Sequence, residues 1–512
     1  MLKRIIAAFL FPALLIALPV LLRQQNSATC PCAAEQEPAE TDELVIVSPH
    51  TEPIKYEFEQ GFRKYYRAKT GRDVRFDWRN LGGTSDIARY INDRFSAEFR
   101  LAWEAAGHDC TDAVLKDFRN KRSQSDARKF FLASDIGIGI DIFFGGGTYE
   151  HSNFAGCGYA VDGGVQTRHP EYFTDIPQNF AGEVIYDKGG LYYGCCLSSF
   201  GLSSNPDRFR DEGLPLPRTW SDLTKPELFQ KIGIGDPTKS GSVMKCYEMI
   251  LQQAMAEHGV EKGWIEGFRR IKLIAANARI VTESAGKLVR DISSGSVMAG
   301  MSIDFYGFSE ENWTRQTAGT ASVVYHMPEN GSAVTSDPVQ MLRGAPNRKT
   351  AEHFLDYLLS PEGQKLWIMK PGTPGGPERY ALLRTCVNSK LPGTIPAEYL
   401  NKPDYDPYQL AGTFRYQGGW TGRYFTLIRI LIKCIALDPI DDLRAARAAM
   451  IEKGGNDAAM ALIAEMPFPY TEAAVQAKKL SSASPAEAAK LRREWTEFAV
   501  DRYRKAVREC AK

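Results

Sequence analysis

Apolar and polar positions along the chain alternate between two grammars, short β-branched runs and helix-spaced stripes. Leu44-Val45-Ile46-Val47 is a continuous apolar run ended by Ser48-Pro49-His50, which predicts a buried strand and the loop leaving its C-terminal end. Ile54, Phe58, Phe62 and Tyr65/Tyr66 then recur at helical spacing until Gly71. Val74, Phe76 and Trp78 alternate with charged residues as a second strand, which runs into Leu81-Gly82-Gly83-Thr84-Ser85. Ile87, Tyr90, Ile91 and Phe95 mark the next helix, and Ile138 to Phe144 a third strand closed by Gly145-Gly146-Gly147-Thr148. Strand, loop, helix in repetition is the signature of parallel βαβ packing. Residues 96–126 are polar and helical without a strong apolar stripe, and are expected to form a surface insertion.

A second block repeats the grammar from about Cys157 to Ile303. Ile232 to Gly235 is a strand followed by Asp236-Pro237-Thr238-Lys239-Ser240-Gly241-Ser242 and a helix carrying Met244, Tyr247, Ile250 and Met255. Val297 to Ile303 is another strand, ending in Asp304-Phe305-Tyr306-Gly307. Ser360-Pro361-Glu362 opens a later helix, with Pro in its first position and an acid in its first turn. From about Pro403 to Lys512 the chain is mostly helical, with Ala-rich amphipathic stretches at 445–463 and 486–507. Ile428 to Ile435 is too short and too charged to span a membrane.

The ends of the chain add a location. Lys3 and Arg4 precede an apolar run from Ile5 to Leu22, which reads as a secretory signal or membrane anchor over residues 1–23. Residues 24–43, rich in Ala, Glu and Pro, read as a flexible tether. Export permits disulfides among the ten cysteines, but spacing does not assign pairs, and small buried apolar thiols fit equally. With 63 basic and 62 acidic residues the chain has no footprint for nucleic acid. No G-x-S-x-G elbow and no H-E-x-x-H occurs, and the seven histidines lack ligand-like spacing, so an enzyme is not expected.

The loops at the strand ends carry the candidate chemistry. Gly83, Thr84 and Ser85, and likewise Gly146, Gly147 and Thr148, combine close backbone approach with hydroxyls and free N–H groups at a helix start, which suits an anion. Thr238, Lys239, Ser240 and Gly241 do so most strongly, adding a cation, and would receive a carboxylate, phosphate or phosphonate.

Four ordered segments resemble the ferric-type solute-binding proteins of ABC importers: Val45-Ile46-Val47-Ser48-Pro49-His50; Trp220-x-x-Leu223 with Ile232-x-Ile234-x-Asp236-Pro237-x-x-Ser240-Gly241-Ser242; Gly295-x-Val297-x-Ala299-Gly300-Met301-x-Ile303-Asp304; and Ser360-Pro361-Glu362-Gly363-Gln364-x-Leu366-Trp367. The resemblance covers roughly residues 44–390. It implies an α/β fold of the two-lobed, type II periplasmic binding kind, with a hinge and a ligand cleft at the C-terminal ends of strands. Lobe 1 would comprise 44–155 and 305–400, lobe 2 residues 156–304, with 401–512 as a helical extension. It also implies a periplasmic, monomeric protein tethered to the inner membrane, without a cofactor, that hands a small molecule or ion to ABC permease subunits. A membrane-anchored sensor or assembly protein built on the same lobes is the alternative.

By the same resemblance Ser48, His50, Asp304 and Tyr306 join the candidate ligand set, and His50 and Tyr306 become metal ligands if the solute is ferric iron. Relatives place two consecutive tyrosines where this chain has Phe305 and Tyr306, which leaves one phenolate and weakens that reading. An aminoalkylphosphonate would instead place its amine on Asp304 or an aromatic face.

Overall fold

The computed structural model describes residues 40–412 and 414–512. The apolar run at 5–22 and nearly all of the tether lie outside them. Among the described residues no helix is long and apolar enough to cross a membrane.

Among the described residues thirteen strands follow in chain order, the first being β1 (Thr41–Val47), β2 (Asp73–Arg79), β3 (Ile142–Phe144), β4 (Ala160–Val161), β5 (Asn179–Phe180), β6 (Glu183–Val184) and β7 (Tyr193–Ser204). After these come β8 (Ile232–Gly235), β9 (Ala278–Thr282), β10 (Ala299–Ile303), β11 (Val324–His326), β12 (Val334–Leu342) and β13 (Thr385–Cys386). The main sheet runs β2-β1-β3-β12-β7-β10-β8-β9, and β1 pairs in parallel with both β2 and β3. Leu44 and Ile46 of β1 enter one core and Val45 and Val47 another, because alternate side chains of a strand point to opposite faces and helices cover both.

Strand β7 joins two halves of this sheet. Its twelve residues are all buried. Tyr193 to Ser199 pair with β12, whereas Phe200 to Ser204 pair with β10, so the strand changes partners between Ser199 and Phe200. The first half holds β1, β2, β3, β4, β12 and β13, and the second β8, β9, β10 and β11. The chain crosses between halves again at 327–333, and a third time at about 405–424, where it leaves the first half for the terminal helices.

Strand pairing places the borders differently from the sequence expectation of 156–304 for lobe 2. β4 pairs with β12, and Val165, Ile176 and Ile185 lie in the first half's core, so residues 160–199 belong there. Conversely β11 pairs with β7 at Ser204 to Leu202, which puts 305–326 with the second half. Apolar pattern reveals strands but not their partners, and the change of partners sits inside one uninterrupted strand.

The expected surface insertion at 96–126 is also corrected. One helix runs from Thr84 to Ala105, and Phe95, Phe99 and Trp103 repeat every four residues on its buried face. Phe99 stacks on Phe118 with ring centroids 4.1 Å apart. Helices Phe425–Ile432, Ile440–Glu452, Asp457–Ala464, Ala473–Ser482 and Pro485–Cys510 form the C-terminal extension and share one core with the second half. Buried Lys272 fastens them by donating to the carbonyls of Ile463 (2.8 Å) and Glu465 (2.6 Å). The eight described cysteines are all unpaired.

Candidate functional site

A cavity of about 1000 Å³ opens between the halves, at the C-terminal ends of the parallel strands. Its floor is a buried charge cluster. Arg384, just before β13, donates to the Asp337 carboxylate, and His50 Nε2 lies 3.2 Å from the same oxygen. The guanidinium carbon sits 3.8 Å from the centre of the Phe305 ring. Burial pushes Asp337 upward, but the Arg384 charge and the His50 hydrogen bond outweigh it and hold the carboxyl well below the usual range. Burial lowers His50 below its ordinary value against the opposing pull of Asp337. Gly145, at φ +90°, lets the chain pass this cluster; a Cβ there would meet the His50 ring at 2.5 Å.

Four of the helices that begin at the cavity wall differ in the charge of their first turns. Thr84–Ala105 and Thr148–Cys157 start after Gly83 and Gly147, which supply no capping side chain, and each carries an acid in its first turn, Asp86 and Glu150. Gly241–His258 and Ala285–Ser293 start after Ser240 and Ser284, whose hydroxyls accept from Val243 N and Lys287 N, and neither has an acid in its first turn. The second half therefore offers two helix ends without an acid in the first turn, with Lys239 beside the one at Ser240 and Glu283 beside the one at Ser284. Asp236 fixes this loop from behind: it accepts from Thr238 N (2.8 Å) and Thr238 Oγ (2.6 Å), and Lys433 of the extension pairs with it at 3.0 Å.

Gly83, Thr84, Gly146, Gly147, Thr148, Lys239, Ser240, Gly241, His50 and Tyr306 line the cavity. Ser48, Ser85, Thr238 and Asp304 do not, each for a local reason. Ser48 Oγ accepts from His50 N behind the wall. Ser85 is already one residue inside its helix. Thr238 is committed to Asp236. Asp304 is buried at the strand crossing, accepting from Ser199 N (2.8 Å), Phe305 N (2.7 Å) and Tyr405 Oη (3.3 Å). Burial raises its carboxyl to about 6 despite those bonds.

The two residues expected to hold a metal, His50 and Tyr306, both line the cavity. Among the described residues no group of three or more His, Cys, Asp and Glu is placed to hold a metal. His50 is engaged by Asp337, burial raises the Tyr306 phenol, and a guanidinium lies on Phe305, where a trivalent cation would be repelled. Ferric citrate is accordingly expected to give no thermal stabilisation of wild type or of Tyr306→Phe. A shift in wild type that Tyr306→Phe abolishes would restore the metal.

Sequence reasoning missed a second cluster in the wall. Lys245, one turn into its helix, pairs with Glu183 of the first half (2.7 Å) and Glu248 of the second (2.9 Å). Its ammonium lies 3.9 Å from the ring centre of Tyr416, in the third crossing. Tyr416 Oη and Thr421 Oγ1 donate to Glu248, and Tyr416 N donates to the Ala181 carbonyl. Burial lowers Lys245, yet the two carboxylates raise it well above its ordinary value and keep it charged. Helical spacing of Lys245 and Glu248 was visible in the sequence; Glu183, Tyr416 and Arg384 carried no local signal.

Residues 134–381, just under half of the chain, match the family described as Bacterial extracellular solute-binding protein. The Phosphoglycerate transport regulatory protein PgtC of Salmonella typhimurium is 28% identical over 170 residues, 33% of this chain and 39% of that protein. An uncharacterized protein of Haemophilus influenzae is 25% identical over 227 residues, 44% of this chain and 60% of that one. The chain thus spans less than two thirds of either relative. The periplasmic binding protein AfuA of Actinobacillus pleuropneumoniae, solved with fructose-6-phosphate, aligns at 19% identity and a TM-score of 0.46, covering 73% of this chain and 95% of its own.

Proposed function

We propose that this chain, an extracellular solute-binding protein of the type II periplasmic kind, captures a small organic anion bearing a phosphate or phosphonate group and delivers it to ABC permease subunits in the inner membrane. The observation that carries the reading is the pair of second-half helix starts, at Ser240 and Ser284, that open into the cavity without an acid in their first turns, with Lys239 beside the first. The name of the Salmonella relative, which speaks of phosphoglycerate transport, supports the same chemistry. The halves would close on the solute by bending where β7 changes partners and at 327–333, as two-lobed binding proteins do. The similarity to extracellular solute-binding proteins supports a periplasmic location, and the apolar run at 5–22 would tether the protein to the membrane. The function is binding, not turnover.

The double variant Lys239→Ala/Ser240→Ala tests this. A lost charge-assisted hydrogen bond of about 1.5–3 kcal/mol corresponds to roughly a 10- to 150-fold weaker Kd for 3-phosphoglycerate or another organic phosphate, read by calorimetric titration. Unliganded stability should fall only by the loss of the Ser240 helix cap, about 1 kcal/mol. Unchanged affinity in the variant would move the anion elsewhere.

A membrane-anchored sensor is the second reading, and the third crossing favours it, because Tyr416 bonds to both halves and would resist wide opening. Small-angle scattering that shows no change of dimensions on binding would support the sensor.

A further inference from the structure

Both halves line the cavity with charges of both signs, Arg119, Lys121 and Glu150 among them on the first and Lys239 and Glu283 on the second. The helices that start after Ser240 and Ser284 have no acid in their first turns, whereas those that start after Gly83 and Gly147 carry Asp86 and Glu150. Asp86 is exposed and reaches Arg89 at 3.5 Å, an ordinary solvated pair. Glu150 differs. Its residue is 8% exposed and lines the cavity, yet among the described residues its carboxylate makes no ion pair and no hydrogen bond to another side chain. One oxygen stands 3.6 Å from where a Cβ on Gly147 would be, over the glycine that opens the helix. Lys245, the buried cation of the same wall, is already held by Glu183 and Glu248. Arg429 acts on Glu150 only through space, without reaching it. A carboxylate this buried without a cation is costly unless a partner arrives.

We infer that Glu150 receives an ammonium group of the solute, so that the ligand is a zwitterion lying across the cavity, its anion on the second half and its amine on the first. The inference rests on the anion reading above. It moves the amine from Asp304, which is committed to Ser199 and Phe305, to a residue that faces the cavity. As the third residue of its helix Glu150 also serves its own first turn, a role that glutamine keeps.

Glu150→Gln therefore separates recognition from capping. The probes are O-phosphoethanolamine and 2-hydroxyethyl phosphate, alike except that an ammonium replaces a hydroxyl, titrated calorimetrically into wild type and Glu150→Gln. Wild type should bind the amine tighter by on the order of tenfold, and the variant should lose that preference while binding 2-hydroxyethyl phosphate as wild type does. A wild type without preference, or one preferring the hydroxyl, overturns the inference and leaves the anion reading standing. So does a variant that weakens both probes equally, which would mark Glu150 as structural. A wild type that binds neither probe but binds 3-phosphoglycerate overturns the inference alone, and one that binds no organic anion overturns both.

Discussion

Asp337→Ala should destabilise the protein by about 3–5 kcal/mol at pH 7, the scale for removing one partner of a buried ion pair. The substitution leaves Arg384 charged, its side chain only 3% exposed, with Cys196 Sγ at 3.2 Å and aromatic rings as its neighbours. It also strips His50 Nε2 of its partner. The effect depends on pH. The folded-state Asp337 lies below its unfolded value of about 3.9. Its contribution is therefore present above that value and is lost as pH falls below it, where the unfolded chain takes up the proton first. Urea unfolding of wild type and variant should show the full gap at pH 7 and a narrower one near pH 3. A gap below about 1 kcal/mol at pH 7 would mean that Arg384 finds other compensation and that the floor is not an ion-pair cluster.

Lys245→Ala should cost about 3 kcal/mol or more by the same logic, because it leaves two carboxylates facing each other. The side chains of Glu183 and Glu248 are 7% and 0% exposed. Their hydrogen bonds from Tyr416 and Thr421 go to Glu248 alone, which leaves Glu183 bare. Glu183→Gln should cost much less than Lys245→Ala, since Lys245 would keep Glu248. The double variant should recover part of the loss, and the coupling measures the bridge between halves. Since Glu183 and Lys245 belong to different halves, both substitutions should also raise proteolytic sensitivity of the third crossing at 405–424. Equal costs for Glu183→Gln and Lys245→Ala would show that Glu183 contributes no bridge.

Much of the architecture was legible because parallel sheets announce themselves. The run at 44–47 has to be covered on both faces, and Gly- and Ser-rich loops follow the strands at 83, 146 and 240. Those loops line the cavity. What stayed hidden depends on contacts between distant residues. Nothing near Arg384 marks it as the partner of Asp337, 47 residues away, and a lone Arg after Leu383 reads as surface. The aromatic stripe at Phe95, Phe99 and Trp103 was masked by the charged Glu98 and Arg100 between its members, which lie half-buried and exposed on the helix. Asp304 was placed in the ligand set on its position after β10, but its carboxylate turns inward to the β7 backbone. A resemblance can carry a position without carrying the direction of a side chain.

The central claim is that the cavity takes an organic anion rather than a metal ion. The most direct test is a thermal-shift comparison of the purified protein against 3-phosphoglycerate, fructose 6-phosphate, O-phosphoethanolamine, inorganic phosphate and ferric citrate. A solute present at about 100 times its Kd stabilises the folded state by roughly 2.7 kcal/mol, which raises the melting temperature by a few degrees. A shift with one or more organic phosphates, lost in Lys239→Ala/Ser240→Ala and absent with ferric citrate, is the expected result. A shift with ferric citrate alone, indifferent to Lys239 and Ser240, would contradict the account.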